Sequence, residues 1–148
     1  MKKTSKFLWI IALVVIIGFS FNACDSDSDG GNDIDADLVN KPGEAWVLQQ
    51  EAEIGIKIGL IFKSNGSYNA LVDNGNGWQI MTNNATFKTI GNTLTLHIPQ
   101  GGVVQTSTFK YSISSNKNTL TTTITIEGAG NSITQDSTYT RMNITLAE

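Results

Sequence analysis

Apolar residues recur at every second position over most of the chain from about residue 45 to residue 142. The clearest run is Ile54, Ile56, Ile58, Leu60 and Phe62, with Gly55, Lys57, Gly59, Ile61 and Lys63 between them. The pattern returns at Tyr68-Ala70-Val72, Leu94-Leu96-Ile98, Phe109-Tyr111-Ile113 and Leu120-Thr122-Ile124-Ile126. A period of two puts one set of side chains on one face of a strand, so these segments predict half-buried strands. Opposite them stand Thr93, Thr95 and His97, and Thr121, Thr123 and Thr125, which suits a solvent-facing side. No stretch keeps an apolar period of 3.6 with caps; only a short helix around Gln50 to Gly55 stays open. Asn65-Gly66 between Phe62 and Tyr68 is a two-residue hairpin signature. Further Gly- and Asn-rich breaks place strands near 45–51, 56–63, 67–73, 77–82, 84–90, 93–98, 103–113, 118–127 and 132–142. Short connections throughout make this a meander. Closing it removes the exposed edges, so the expected fold is all-β, an antiparallel up-and-down barrel of about eight to ten strands. A Greek-key sandwich is the competing solution, but it needs a long return connection, which the sequence lacks.

The first 40 residues follow different rules. Lys2, Lys3 and Lys6 precede an apolar run from Phe7 to Phe21. That run is short for a spanning helix, which needs about 20 apolar residues, and fits the hydrophobic region of an export signal over residues 1–23. Phe21-Asn22-Ala23-Cys24 then resembles the lipobox of bacterial lipoproteins, with Phe21 where an aliphatic is commoner. The resemblance implies cleavage before Cys24 and acylation there, a palmitate-type modification anchoring the chain in a bilayer. Residues 24–40 carry six aspartates and no basic residue, so a disordered acidic tether is expected. Asp25, Asp27, Asp29 and Gly30 match the opening of a calcium loop, yet the twelfth position, where a bidentate Glu belongs, is Ala36. A solvated spacer explains the run without a metal, and an acidic sorting signal is the other reading.

Composition narrows the function classes. A chain of 148 residues with net charge −3 suits one folded domain and no basic nucleic-acid surface. From Lys41 onward seven basic residues balance seven acidic ones, so the expected domain, residues 41–148, is neutral. One cysteine and one histidine offer no disulfide framework and no metal cluster. There is no G-x-S-x-G elbow and no glycine-rich loop leading into a helix. Glu51 and Glu53 would share a face if extended, but as a surface pair. The expectation is no enzyme, no cofactor and no nucleic-acid partner.

The body resembles the small lipocalin-like domains of the calycin group. The matching pieces are Gly43-Glu44-Ala45-Trp46, Leu60 through Tyr68, Gly91 through Leu96, and Tyr139-Thr140-Arg141-Met142. One residue is inserted relative to the usual G-x-W opening, and the C-terminal helix of that group is lacking. The resemblance implies a closing clamp in which Arg141 lies over Trp46; a guanidinium over an indole is worth roughly 0.5–2 kcal/mol. It also implies a barrel mouth admitting a small apolar or amphipathic ligand, with Ile58, Leu60, Phe62, Tyr68, Trp78, Phe109 and Tyr111 as lining candidates. The same side chains could instead fill a solid interior. Two functions follow: a membrane-anchored binder of a small hydrophobic ligand, or a cell-envelope interaction protein (adhesin, inhibitor or structural component) with a packed barrel. Either is exported and lipid-anchored in the bacterial envelope, with the outer membrane as the expected address.

Overall fold

The computed structural model describes residues 34–49, 55–82, 84–128 and 131–147. The signal, Cys24 and the possible helix near Gln50 lie outside the described residues. Nine strands follow one another: β1 (Glu44–Leu48), β2 (Lys57–Phe62), β3 (Ser67–Asp73), β4 (Trp78–Ile80), β5 (Ala85–Ile90), β6 (Thr93–Gln100), β7 (Val103–Ile113), β8 (Thr119–Gly128) and β9 (Asn131–Asn143). All ladders are antiparallel. Neighbouring strands pair in sequence, except that β5 follows β3 around the wall, and β9 returns to β1. Eight strands thus close a barrel as the alternation requires, and β4 is an extra strand on the end of β3.

Register sets the width of the barrel. Following paired residues around the wall, Trp46 to Leu60 to Ala70 and on through β5 to β9, returns to β1 about 12 residues from the start. With strands about 4.8 Å apart and about 3.3 Å per residue, eight strands at that stagger tilt about 45° and enclose a backbone radius of about 9 Å. A stagger of only about 8 residues would give about 7.5 Å, which side chains nearly fill.

The described chain begins inside the fold. Ile34–Asn40 crosses one end of the barrel as a plug: Leu38 is fully buried, and Ile34 packs against the interior cluster. Asn40 N–H donates to the Phe62 carbonyl, and Phe62 N–H donates to Asn40 Oδ1. The expected tether therefore does not reach residue 40. Its last seven positions belong to the folded body, because Ile34 and Leu38 find an apolar end to cover.

Both faces of β1–β3 are buried. Inward lie Trp46, Leu60, Phe62, Tyr68 and Ala70; outward lie Ala45, Val47, Ile61 and Leu71, packed with Trp78 and Ile144. Trp78 therefore does not line the barrel. Asp73 Oδ1 accepts from Gly75 and Gly77 N–H, folding the connection so that β4 lays the indole over Gly59 on the outer face. A Cβ at Gly59 would sit 3.1 Å from the Trp78 ring, so a larger residue there would push the indole by a few tenths of an ångström. The C-terminal strand end holds the tryptophan there: Ala147 N–H donates to Trp78 O, and Ile144 N–H to Gly43 O. Residues 144–147 thus run as an extended strap over this outer patch.

Candidate functional site

The barrel interior divides into a floor and a cup. The floor is aromatic: Phe62 packs against Tyr68 and Phe87 at centroid separations of 5.8 and 4.8 Å, joined by Trp46, Tyr111 and Leu38. Above it the walls turn mostly to aliphatic side chains. Ile58, Leu60, Ile98, Phe109, Ile124 and Ile126 hold inward positions and are only half-buried. Of the lining candidates, then, Ile58, Leu60 and Phe109 face the cup, whereas Phe62, Tyr68 and Tyr111 build its base. Ile98, Ile124 and Ile126 join the lining; their period-two spacing was present in the sequence, but aromatic size drew the choice elsewhere.

The floor is locked to the plug by polar groups. The Arg141 guanidinium lies 4.4 Å from the Trp46 ring centroid, as the clamp requires. Its Nη2 donates to the Asp37 carbonyl at 2.5 Å, and Nη1 stands 3.7 Å from the Glu44 carboxylate. Trp46 Nε1 donates to the Leu38 carbonyl at 2.8 Å. The clamp thus joins the first strand, the last strand and the plug, because Trp46 and Arg141 are directly paired across β1 and β9. Tyr111 donates its hydroxyl to Asp35 Oδ2 at 2.8 Å, Asp35 N–H donates to Thr89 Oγ1, and Lys117 pairs with Asp37 at 2.7 Å. Two of the six aspartates read as spacer charge are structural.

All three tyrosines sit inside this arrangement. Burial, then the Asp35 carboxylate, pushes the Tyr111 hydroxyl up to about 12; burial also raises Tyr68 and Tyr139. A folded value above the unfolded one of about 10 means stability is undiminished below about pH 10 and is lost as pH climbs toward the folded value. Absorbance at 295 nm should therefore show no tyrosinate near pH 10, and ionisation should accompany unfolding at higher pH. A tyrosine titrating near 10 in the folded chain would contradict the packing.

His97 is half-exposed on the outer face of β6, as its alternation implies, with Nδ1 3.1 Å from Thr106 Oγ1. Burial and nearby Lys88 pull it below its usual value. Among the described residues no group of His, Cys, Asp and Glu is arranged to hold a metal. No protein-family model matches the chain, and searches of curated proteins and of solved structures also find no match. The fold rests on the barrel geometry alone: an eight-strand antiparallel barrel consistent with the lipocalin-like type.

Proposed function

We propose that this chain is a membrane-anchored lipoprotein whose lipocalin-like barrel binds one small hydrophobic or amphipathic ligand and performs no catalysis. The observation that carries the reading is the stagger. A wall about 9 Å in radius, sealed at one end by aromatics and the plug, leaves room along its axis where isoleucines and leucines are only half-covered. Apolar surface left half-exposed inside a concave wall gains by covering, at about 25 cal/mol per Å² of area removed from water. Ligand cups are built this way, with polar fixtures few and placed among apolar walls. A solid interaction barrel would carry its large side chains evenly on both levels, whereas here Trp46, Phe62, Tyr68, Phe87 and Tyr111 gather at the floor and Phe109 stands above them.

Native mass spectrometry of the chain from residue 24 onward, mixed with envelope lipid extract, is expected to retain one small molecule per protein. A spectrum showing only the bare protein would favour the alternative, an envelope interaction protein. The anchor has a separate test: Cys24→Ser should abolish incorporation of labelled fatty acid and release the protein from membranes. Unchanged labelling would remove the lipoprotein part of the reading.

A further inference from the structure

The walls of the cup are mixed. Among the apolar Leu48, Ile58, Leu60, Ile98, Phe109 and Ile124, inward positions of β7 and β9 present Gln105, Ser107, Gln135 and Ser137. Every one of these polar side chains is uncharged. Among the described residues of the barrel strands, Lys57, Asp73, Lys88, Lys110 and Asp136 sit at outward positions of the alternation. The inward charges Glu44 and Arg141 lie at the floor beside each other, with Arg141 also engaged with Trp46 and Asp37.

A second observation points the same way. Three buried side-chain polar atoms among the described residues lack a hydrogen-bond partner: Asn40 Nδ2, Arg141 Nε and Tyr68 Oη. The first two belong to the plug and its clamp. Tyr68 is different: it projects from β3 into the barrel interior, is 1% exposed, and its hydroxyl has no hydrogen-bond partner. A buried hydroxyl without a partner is costly, and a tyrosine is retained in preference to phenylalanine where something pairs with it.

Resting on the ligand-binding reading above, we infer that the ligand is a neutral amphiphile, an apolar chain or ring system carrying an uncharged hydroxyl or carbonyl head that pairs with the Tyr68 hydroxyl and the Gln- and Ser-bearing wall. Among the described residues the cup walls offer no opposite charge, so a carboxylate or ammonium head would lose its hydration against them without compensation, a penalty that neutral heads escape. The neutral side chains of β7 and β9 can both donate and accept, which matches an alcohol or ester and gives an ion no counter-charge.

The test uses three probes with one tail: 1-dodecanol, dodecanoate and dodecyltrimethylammonium. Each is titrated below its micelle concentration against the chain from residue 24 carrying Cys24→Ser, which keeps every contact described here. Dodecanol should bind at least tenfold tighter than either ion. Tyr68→Phe should weaken dodecanol about fivefold, in line with loss of one hydrogen bond, without lowering the thermal midpoint. Equal or tighter binding of an ionic probe, or unchanged dodecanol affinity in Tyr68→Phe, overturns the inference and leaves ligand binding standing. If none of the three binds, both the inference and the binding reading fall.

Discussion

Starting the chain at Lys41 instead of Ile34 is expected to lower the midpoint of thermal unfolding by about 10 °C or more, or to prevent folding altogether. The truncation uncovers the site of Leu38, whose burial is worth about 2–3 kcal/mol, and uncovers much of Ile34's. It also strips acceptors from three buried or half-buried donors at once: Trp46 Nε1 loses the Leu38 carbonyl, Arg141 the Asp37 carbonyl, and Tyr111 the Asp35 carboxylate. Tyr111 keeps the Gly91 carbonyl at 3.3 Å, so two donors are left unpaired; at about 1–3 kcal/mol each, added to Leu38, the combined loss is about 4–9 kcal/mol. Domains of this size are stable by only about 5–15 kcal/mol in total. Circular dichroism melts of chains beginning at residues 34 and 41 decide the matter. If the two midpoints agree within about 2 °C, the plug is an ornament on a self-sufficient barrel.

Replacing Arg141 by alanine should cost about 2–5 kcal/mol in denaturant unfolding. The cation–π contact contributes roughly 0.5–2 kcal/mol, and the charged hydrogen bond to the Asp37 carbonyl about 1.5–3 kcal/mol. Arg141→Lys should recover less than half of this, because an ammonium cannot both lie flat on the indole and reach the carbonyl. The coupling to the plug has its own signature. In the chain starting at Lys41 the Asp37 carbonyl is already gone, so Arg141→Ala should cost markedly less there than in the longer chain. Equal costs in both backgrounds would mean that clamp and plug are independent; no cost in either would mean that the 4.4 Å stacking contributes nothing.

Pattern alone carried the strand map far. The period-two runs and the Asn-Gly and Gly-Asn breaks place all nine strands within a few residues of their observed ends, since alternation and turn chemistry are local properties. The Trp46–Arg141 pair was also legible, through its resemblance to a known opening and closing motif. Trp78 was not. Its strand is three residues long, and whether such a piece faces in or out depends on Gly59, nearly twenty positions away, leaving a flat spot for the ring. The plug was hidden for another reason: Ile34 and Leu38 stand among aspartates, and a composition that reads as solvated spacer says nothing about whether two apolar side chains find a barrel end to fill.

By itself, then, the sequence determined the all-β class, the order and nearly the limits of the strands, the neutrality of the body and the pair that closes it. The tertiary structure alone decided the stagger, and with it the width of the barrel, the separation of an aromatic floor from a half-covered cup, and the solitary hydroxyl of Tyr68. Alternation states which side of a strand is buried. How far each strand slides along its neighbour is set only when all eight close on one another, and that sum of shifts, which no single hairpin contains, fixes the radius of the barrel.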